Sequence, residues 1–262
     1  AHSALVGGKD NDVSGDNSIV GGGEGNSVSG AHSALVGGKD NDVSGDNSIV
    51  GSGENNNVSG AYSVILGGED NSTDSDHSVV SGGKQNDASG MYSVISGGIE
   101  NSITVPGGTV SGGYQNMING QYSAIGGGYS NDIASEYSAI FAGKDNEVIS
   151  DFSSILGGEG NRIEGAHSVI SGGIGNLVQA NYSGVSGGRV NAIESGSDYS
   201  TIVGGGGPTV DYAADSDGSI DPGTGDPNTI GKQYWSGLYF SPVPASCLLY
   251  TSPSPRDGLL SR

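Results

Sequence analysis

The sequence predicts an all-β solenoid, a parallel β-roll or β-helix with two short strands in each coil. A 15-residue period runs without a gap from Ala1 to Ser195 and gives 13 repeat units. Position 8 of the repeat is Gly and position 11 is Asn in all 13 units, and position 5 is always Leu, Val or Ile. Units of equal length without insertions are typical of stacked coils, because every coil follows the same path. We therefore expect about 13–14 coils of 15 residues, followed by an irregular C-terminal tail.

Turn signals place the strands within each unit. The Gly-Gly pairs at positions 7 and 8 of most units disfavour a helix. The tracts beside them alternate with a period of two residues, as in Ser93–Ser96 and Asn131–Ile133. This pattern predicts strands at positions 3–6 and 11–14, with turns at the Gly-Gly pair and around positions 15 and 1. The stacked coils would form two parallel sheets with neighbouring strands about 4.8 Å apart.

The alternation also predicts which side chains face the interior of the coil. These are Ser at position 3, Asn at position 11 and the aliphatic residues at positions 5 and 13. We expect each Asn to hydrogen-bond to its copies in the coils above and below. An alternative is that this Asn only tolerates a left-handed φ in the turn. The predicted structural ladder comprises Asn11, Asn26, Asn41, Asn56, Asn71, Asn86, Asn101, Asn116, Asn131, Asn146, Asn161, Asn176 and Asn191.

The first strand of each unit is apolar on both faces. Position 4 is Ala, Ile or Val in 10 of the 13 units, whereas positions 12 and 14 on the second strand are mostly polar. A continuous apolar stripe favours burial against a partner. We therefore expect the solenoid to associate with copies of itself.

Composition and charge exclude several classes of function. The chain has 262 residues, 51 of them Gly, and a formal net charge of −20. Nucleic-acid and anionic-membrane binding need basic patches, so neither is predicted. The sequence has no run of about 20 apolar residues, so it predicts no membrane-spanning helix. We interpret the acidic residues as a solubilising surface, with calcium binding or salt adaptation as the alternative.

The repeat pattern also divides the chain. Residues 1–210 are predicted to form the repeat domain, with a fourteenth unit after the two extra residues Gly196 and Ser197. Residues 211–246 lose the period and are interpreted as a linker or the start of a truncated next domain. Residues 247–262 have no repeat character, and we interpret them as a sequencing-adapter artefact.

The sequence predicts no enzymatic centre, metal site or cofactor. The four His residues all occupy position 2, and the nearest two lie two coils apart, about 9–10 Å, too far to share one metal ion. Ser recurs at position 3 as part of the repeat, and no single Ser is set apart by a neighbouring His and acidic residue, as nucleophilic catalysis would need. Gly7–Asp12 resembles the Gly-Gly-x-Gly-x-Asp calcium repeats of β-rolls. Position 12 nevertheless varies between Asp12, Met117 and Arg162, which a regular row of calcium ions would not tolerate.

Aromatic residues recur at two repeat positions. Tyr122, Tyr137 and Phe152 occupy position 2 in successive coils, and Tyr114 and Tyr129 occupy position 9. One interpretation is that cross-coil pairs of rings stiffen the turns. The other is an exposed aromatic strip that binds sugar rings or another surface.

The repeated phrase resembles a known family. Asp16–Gly21 and Asp46–Gly51, both DNSIVG, and Ala61–Gly68, AYSVILGG, resemble the head repeats of YadA-like trimeric autotransporter adhesins. The resemblance covers Ala1 to about Val210, although the period of 15 is longer than the family's usual one. It implies a left-handed parallel β-roll, three chains packed around a common axis, and display outside the cell for attachment.

The leading hypothesis is a non-enzymatic adhesive protein, a homotrimeric head segment on the cell surface or outer membrane that attaches to host cells, matrix or glycans. The alternatives are a phage tail-fibre shaft carried on the virion and a calcium-binding β-roll. Ice binding needs a flat array of matched hydroxyls. Asp12, Met117, Arg162 and Glu194 at positions 12 and 14 argue against it.

Overall fold

The computed structural model describes residues 2–205 and 229–230. These residues form a parallel β-solenoid of about 13 turns with about 15 residues in each coil, which confirms the predicted fold class. Every regular element among them is a β-strand of two residues. The chain divides into two compact units, the first Ala1–Ala142 and the second Gly143–Arg262.

Each coil contributes two strands, numbered here in chain order. The first unit contains β1 (Ala4–Leu5), β2 (Asp12–Val13), β3 (Ile19–Val20), β4 (Ser27–Val28), β5 (Ala34–Leu35), β6 (Asp42–Val43), β7 (Ile49–Val50), β8 (Asn57–Val58), β9 (Val64–Ile65), β10 (Ser72–Thr73), β11 (Val79–Val80), β12 (Asp87–Ala88), β13 (Val94–Ile95), β14 (Ser102–Ile103), β15 (Thr109–Val110), β16 (Met117–Ile118), β17 (Ala124–Ile125), β18 (Asp132–Ile133) and β19 (Ala139–Ile140). The second unit contains β20 (Glu147–Val148), β21 (Ser154–Ile155), β22 (Arg162–Ile163), β23 (Val169–Ile170), β24 (Leu177–Val178), β25 (Gly184–Val185), β26 (Ala192–Ile193), β27 (Thr201–Ile202) and β28 (Thr229–Ile230). Within each unit the odd-numbered strands form one sheet and the even-numbered strands form another.

The pairing of strands places equivalent repeat positions in columns. Neighbouring strands are parallel, and Val64 lies opposite Val79 as Ile65 lies opposite Val80. In the other sheet, Thr73 lies opposite Val58. In both sheets the paired residues lie one repeat apart in the sequence, so the same repeat position of every coil lies in one column.

The strands are shorter than predicted. They cover repeat positions 4–5 and 12–13 instead of positions 3–6 and 11–14. Hydrogen bonding between coils continues past the strand ends but changes direction there. The amides of Ser59 and Gly60 both donate to the carbonyl oxygen of Thr73, at 3.0 and 3.1 Å. Because one acceptor serves two successive donors, the chain turns out of the strand at this point.

The structure also contains a third column of backbone pairing that the repeat pattern does not predict. Residues at position 9 form isolated parallel bridges from coil to coil, as between Lys9 and Glu24 or Glu69 and Lys84. The amide of Lys84 donates to the carbonyl oxygen of Gly98 at 3.0 Å. Each coil therefore has a narrow third side between the two sheets.

Three repeat positions have a left-handed backbone. The Gly residues at position 8 have φ between 91° and 113°, and from Asp10 onward the non-Gly residues at positions 2 and 10 have φ between 50° and 64°. Asp70, for example, has φ of 56° and directly precedes Asn71. The position-11 Asn residues are not left-handed, so the alternative explanation of their recurrence is wrong. The left-handed residue is the one before them.

The interior is lined by positions 3, 5, 11 and 13, as predicted. Beyond the first coil, the aliphatic side chains at positions 5 and 13 are 0–1% exposed. Burying a Val or Ile side chain stabilises a protein by about 1.5–3 kcal/mol. The largest of these buried side chains are Leu35, Ile65, Ile95, Ile103, Ile118, Ile125, Ile133, Ile140, Ile155, Ile163, Ile170 and Ile193.

Thr73 is an exception in this interior, and it leads to a testable prediction. It occupies an aliphatic position, is fully buried, and its hydroxyl has no hydrogen-bond partner. We expect Thr73→Val to raise the free energy of unfolding by about 1–2 kcal/mol, because it removes a buried unpaired hydroxyl. Urea unfolding followed by circular dichroism measures the change. The control is Thr104→Val at an exposed hydroxyl, where we expect a change within about 0.5 kcal/mol. A loss of stability in Thr73→Val would contradict the prediction.

The two extra residues after the thirteenth repeat shift the period without ending the stack. Ser195 and Gly196 lie in a turn, and Thr201 of β27 pairs with Gly184 of β25. Thr229 of β28 pairs with Ala192 of β26, although it lies within the segment 211–246 interpreted as a linker. The rest of that segment, and residues 247–262 interpreted as an artefact, lie outside the described residues.

Candidate interaction surfaces

The Asn residues at position 11 form a column of hydrogen bonds inside each unit. The Nδ2 of Asn71 donates to the Oδ1 of Asn56 at 3.0 Å. It also donates to the carbonyl oxygens of Gly67 and Gly83, at 3.2 and 3.0 Å. The Oδ1 of Asn71 accepts bonds from the backbone N and the Nδ2 of Asn86, at 3.0 and 3.1 Å. Every polar atom of this buried amide is therefore paired.

The same column runs from Asn11 to Asn131 in the first unit and from Asn146 to Asn191 in the second. A column of Ser at position 3 accompanies it. The amide of Ser33 donates to the Oγ of Ser18 at 3.1 Å. Both columns are buried, so they hold neighbouring coils together and do not face a partner.

The outward face of the odd-numbered strands carries no charged side chain in the described coils. The side chains at positions 4 and 6 form this face. Position 4 gave the predicted apolar stripe, and position 6 makes the stripe wider. We call it the uncharged face. Its most exposed members include Val36 at 65%, Leu66 at 55% and Phe141 at 62%. In the first unit the face consists of Ala4, Val6, Ile19, Gly21, Ala34, Val36, Ile49, Gly51, Val64, Leu66, Val79, Ser81, Val94, Ser96, Thr109, Ser111, Ala124, Gly126, Ala139 and Phe141. In the second unit it consists of Ser154, Leu156, Val169, Ser171, Gly184, Ser186, Thr201 and Val203.

The outward face of the even-numbered strands is polar and charged. In the second unit Arg162 pairs with the carboxylates of Glu147 and Glu164. Hydrogen bonds from Gln179 and from Arg162 lower the pKa of Glu164. These ionised groups favour contact with water, so we interpret this face as the solvated side of the sheet.

The same face carries acidic residues in the first unit. Burial raises the pKa of Asp87; a hydrogen bond from Ser89 opposes this effect, and the charge of Asp74 adds to it. A carboxyl group with a raised pKa is held at some cost in its charged form. This face therefore differs in chemistry from the uncharged face on the other side of each coil.

The edge at position 9 carries ion pairs between neighbouring coils. The Nζ of Lys9 lies 2.7 Å from the Oε1 of Glu24, and the Nζ of Lys84 lies 2.7 Å from the Oε1 of Glu69. The hydrogen bond to Glu24 is the main cause of the raised pKa of Lys9. These groups are exposed, and exposed pairs of this kind contribute little to stability. They neutralise lysines that could otherwise form a basic surface.

Stacked rings form a column along the other edge, at position 2. In the second unit Phe152, His167, Tyr182 and Tyr199 stack with centroids 4.8–5.0 Å apart and interplanar angles of 2–6°. Their exposed fractions, where the ring is Phe or Tyr, lie between 51% and 57%. The column is therefore a surface feature of the turn.

The first unit has two shorter stacks at the same position. Tyr62, His77 and Tyr92 stack at 5.0 and 4.9 Å, and Tyr122 stacks on Tyr137 at 5.4 Å. The stacks lie on either side of a Gly at position 2. Histidines thus take part in the columns, which sequence reasoning missed because it considered them only as metal ligands. Their shared repeat position was the available signal.

The remaining predicted aromatic residues form a separate pair. Tyr114 and Tyr129 at position 9 stack with their centroids 5.3 Å apart. Of the predicted aromatic set, the structure brings together Tyr122 with Tyr137 and Tyr114 with Tyr129, while Phe152 stacks on His167.

Aromatic residues at position 2 are unusual on energetic grounds. Asn17 and Asn47 hold this position with φ of 58°, and Asn adopts a left-handed backbone more easily than Tyr or Phe. A left-handed residue costs about 1–2 kcal/mol, and a stacked pair of rings returns about 0.5–1.5 kcal/mol. The rings therefore add little to the stability of the fold, which points to a role at the surface.

The described residues, 2–205 and 229–230, contain no group of three His, Cys, Asp or Glu side chains placed to hold a metal ion. Within the same ranges, no helix has the length and apolar character needed to cross a membrane.

Comparison with protein families finds a similarity in the first part of the chain. A family model described as a grass antifreeze beta roll matches residues 2–97. No curated protein matches the chain. The matched region contains the early coils of the first unit, with their Asn column and their parallel pairing of equivalent repeat positions. The coil architecture and this similarity together identify the chain as a β-roll repeat protein.

Proposed function

We propose that this chain is a non-enzymatic attachment segment of an extracellular, YadA-like adhesin, in which three copies pack through their uncharged faces. The observation that carries the proposal is the exclusion of charge from this face in a chain with a net charge of −20. Stacked coils repeat the same surface groups, and a trimer multiplies each of them. Avidity would then replace high affinity at a single site.

The energetics favour a partner of the same kind. Most coils bury only two large aliphatic side chains in their interior, whereas the uncharged face leaves side chains such as Val36 and Leu66 more than half exposed. Burying apolar surface contributes about 25 cal/mol per Å². The charged groups lie on the opposite face and along the edges, so packing of uncharged faces would bury no unpaired charge.

The threefold arrangement, the cell-surface location and the attachment role come from the resemblance of the repeated phrase DNSIVG to adhesin heads. The uncharged face is the contact that such an arrangement requires. Attachment to host cells, matrix or glycans would use the groups that remain outside, namely the edge columns at positions 2 and 9.

Sedimentation equilibrium of the full chain tests the proposal. We expect a trimer at low micromolar concentration, and we expect the double variant Val36→Asp/Leu66→Asp to be a folded monomer, because two charges would be buried at each interface. Ser44→Asp adds a charge on the opposite, solvated face and is expected to remain trimeric. The monomeric variant should also lose at least about tenfold in binding to cell- or matrix-coated surfaces, because avidity is lost. A wild-type chain that is a stable, folded monomer at this concentration would contradict the proposal.

Ice binding is a second candidate, favoured by the match to the antifreeze family model over residues 2–97. The varied residues at positions 12 and 14 argue against ice binding only for the outward face of the even-numbered strands. The uncharged face repeats about every 4.8 Å along the coils, but its profile is uneven, since Val6 and Val36 alternate with Gly21 and Gly51. An assay of ice recrystallisation separates the two functions. Inhibition by the wild type that Val36→Asp/Leu66→Asp abolishes would favour ice binding, and a trimer without inhibition would exclude it.

A further inference from the structure

The uncharged face is uneven in a regular way. Its two residues within one coil, at positions 4 and 6, lie about 7 Å apart on the same side of the chain. In seven of the ten coils of the first unit, one of the two is large (Val, Ile, Leu or Phe) and the other is small (Gly, Ala or Ser). We call this relation the size pairing. It links Ala4 with Val6, Ile19 with Gly21, Ala34 with Val36, Ile49 with Gly51, Val79 with Ser81, Val94 with Ser96 and Ala139 with Phe141.

The large residue changes position along the stack. It lies at position 6 as Val36 in the coil of β5 and at position 4 as Ile49 in the coil of β7. Val36 is 65% exposed and Ile49 is 42% exposed, whereas Ala34 beside the first is short and Gly51 beside the second has no side chain. Each of these coils therefore presents one projection and one depression. The first four coils reverse the order of the two from one coil to the next.

The stacking of coils does not itself require the size pairing. Val64 and Leu66 are two large residues in one coil, and their amides still donate to the next coil at 2.9 and 3.0 Å. Ala124 and Gly126 are two small residues in one coil, and their amides donate at 3.0 and 2.9 Å. Both combinations are therefore compatible with the fold of a single chain, so the size pairing needs another explanation.

Close backbone contacts explain only some of the small residues. A Cβ atom on Gly21 would lie 2.5 Å from the carbonyl oxygen of Val36, which accounts for glycine at that residue. Ser81 and Ser96 occupy the same repeat position with a Cβ atom and are small nevertheless. Their size therefore has to come from what lies outside the face.

A rotation axis parallel to the coil stack would relate copies of the chain and use this pattern. Such a rotation keeps every coil level with the same coil of the next copy. It also brings position 6 of one uncharged face against position 4 of the other. Val36 would then meet Ala34 of the neighbouring copy, and Gly51 would meet Ile49 of that copy. Each projection would fill a depression, as close packing without overlap requires.

Other arrangements lose this fit. A slip by one coil would place Val36 against Ile49, which overlap, and Gly21 against Ala34, which leave a void. An antiparallel arrangement would pair position 4 with position 4, and over the whole first unit it would place Ile49 against Val94. A stack of similar coils can pack in many registers about 4.8 Å apart. The size pairing favours one of them by making the others fit poorly.

We propose that copies of this chain pack in the same direction and in register, with position 6 of each copy against position 4 of the next. The inference rests on the proposed trimer and specifies the contact within it. The coils of β9, β15 and β17 do not follow the size pairing, so the register depends on the other seven coils of the first unit. The second unit shows the same relation, in Ser154 with Leu156 and in Val169 with Ser171.

Exchanging the two sizes within one coil tests the register. Ala34→Val would place two large side chains against each other, and Val36→Ser would leave a void. We expect each single variant to weaken the association constant of the trimer at least about tenfold, measured by sedimentation equilibrium of the full chain. The double variant Ala34→Val/Val36→Ser restores one large and one small residue at every contact. We expect it to associate within about threefold of the wild type, because the two changes compensate each other.

The matched control makes the same two changes in different coils. In Ala34→Val/Val6→Ser the overlap and the void lie at separate levels of the stack, so we expect at least the loss seen for Ala34→Val alone. The fold should accept the exchange, because the coils of β11 and β13 already carry Val at position 4 and Ser at position 6. Ala4→Val/Val6→Ser repeats the exchange in the coil of β1, and circular dichroism checks that each variant is folded.

The outcomes separate this contact from the trimer itself. Same-coil exchanges that associate no better than the single variants would overturn the in-register contact. Recovery in Ala34→Val/Val6→Ser would also overturn it, because position 6 would then face position 4 two coils away. A trimeric wild type that fails the exchange test overturns the contact alone, whereas a monomeric wild type overturns the trimer and this contact with it.

Discussion

Gly68→Ala is expected to lower the free energy of unfolding by about 4 kcal/mol or more. Gly68 has φ of 98°, where a Cβ atom is strained. That Cβ would also lie 2.1 Å from the carbonyl oxygen of Gly83 and 2.5 Å from the Nδ2 of Asn71. These two atoms are hydrogen-bonded to each other at 3.0 Å. The added methyl group would therefore occupy the space where two coils meet.

The adjacent glycine gives a matched control. A Cβ on Gly67 would have Ser52 as its nearest neighbour, 3.7 Å away, and other coils already carry Ser52 or Ala142 at this position. We expect Gly67→Ala to change stability by less than about 1 kcal/mol. Urea unfolding of both variants by circular dichroism measures the difference. Equal losses in the two variants would refute the steric explanation.

Asn71→Ala is expected to have an effect of similar size, a loss of about 4 kcal/mol. The substitution removes the donor that serves Asn56, Gly67 and Gly83, and it removes the acceptor of two bonds from Asn86. Asn71 is 1% exposed, so water cannot replace these partners without opening the coil. Each buried group left unpaired costs about 1–3 kcal/mol.

Asn57→Ala is the control for this prediction. The side chain of Asn57 lies on the exposed face of β8 in the neighbouring coil, so its loss is expected to change stability by no more than about 0.5 kcal/mol. Thermal or urea unfolding compares the two variants. A small effect of Asn71→Ala would show that the Asn column does not hold the coils together.

The sequence is sufficient to predict the coil period and the interior, because both depend on side chains that recur without exception, such as Gly8 and Asn11. The third column at position 9 could not be predicted in this way. Its residues pair through backbone atoms, so side chains as different as Lys84, Tyr114 and Ile174 are compatible with it. The strand ends were also misplaced, since they depend on shared backbone acceptors.

The surfaces were predicted less completely than the interior. Position 6 of the uncharged face varies between bulky residues and glycine, as in Val36 and Gly51. Because these residue types look unrelated in the sequence, the feature that they share, the lack of charge, is easily overlooked. The left-handed backbone at positions 2 and 10 was signalled by Asn17 and Asp10, residue types that tolerate it. The aromatic columns were predicted only where Tyr or Phe repeat in successive coils, and His77 shows that a mixed column stacks equally well.

The register of one full repeat between neighbouring strands has a consequence for how such a gene can change. The 21 residues of Ala1–Gly21 recur as Ala31–Gly51, and each copy fits its neighbours because the upper edge of any coil complements the lower edge of any other. Gain or loss of whole multiples of 15 codons would preserve both the Asn and the Ser columns. Any other length change has to be absorbed within a turn. Unequal recombination between repeats is thus a route to longer or shorter proteins that still fold.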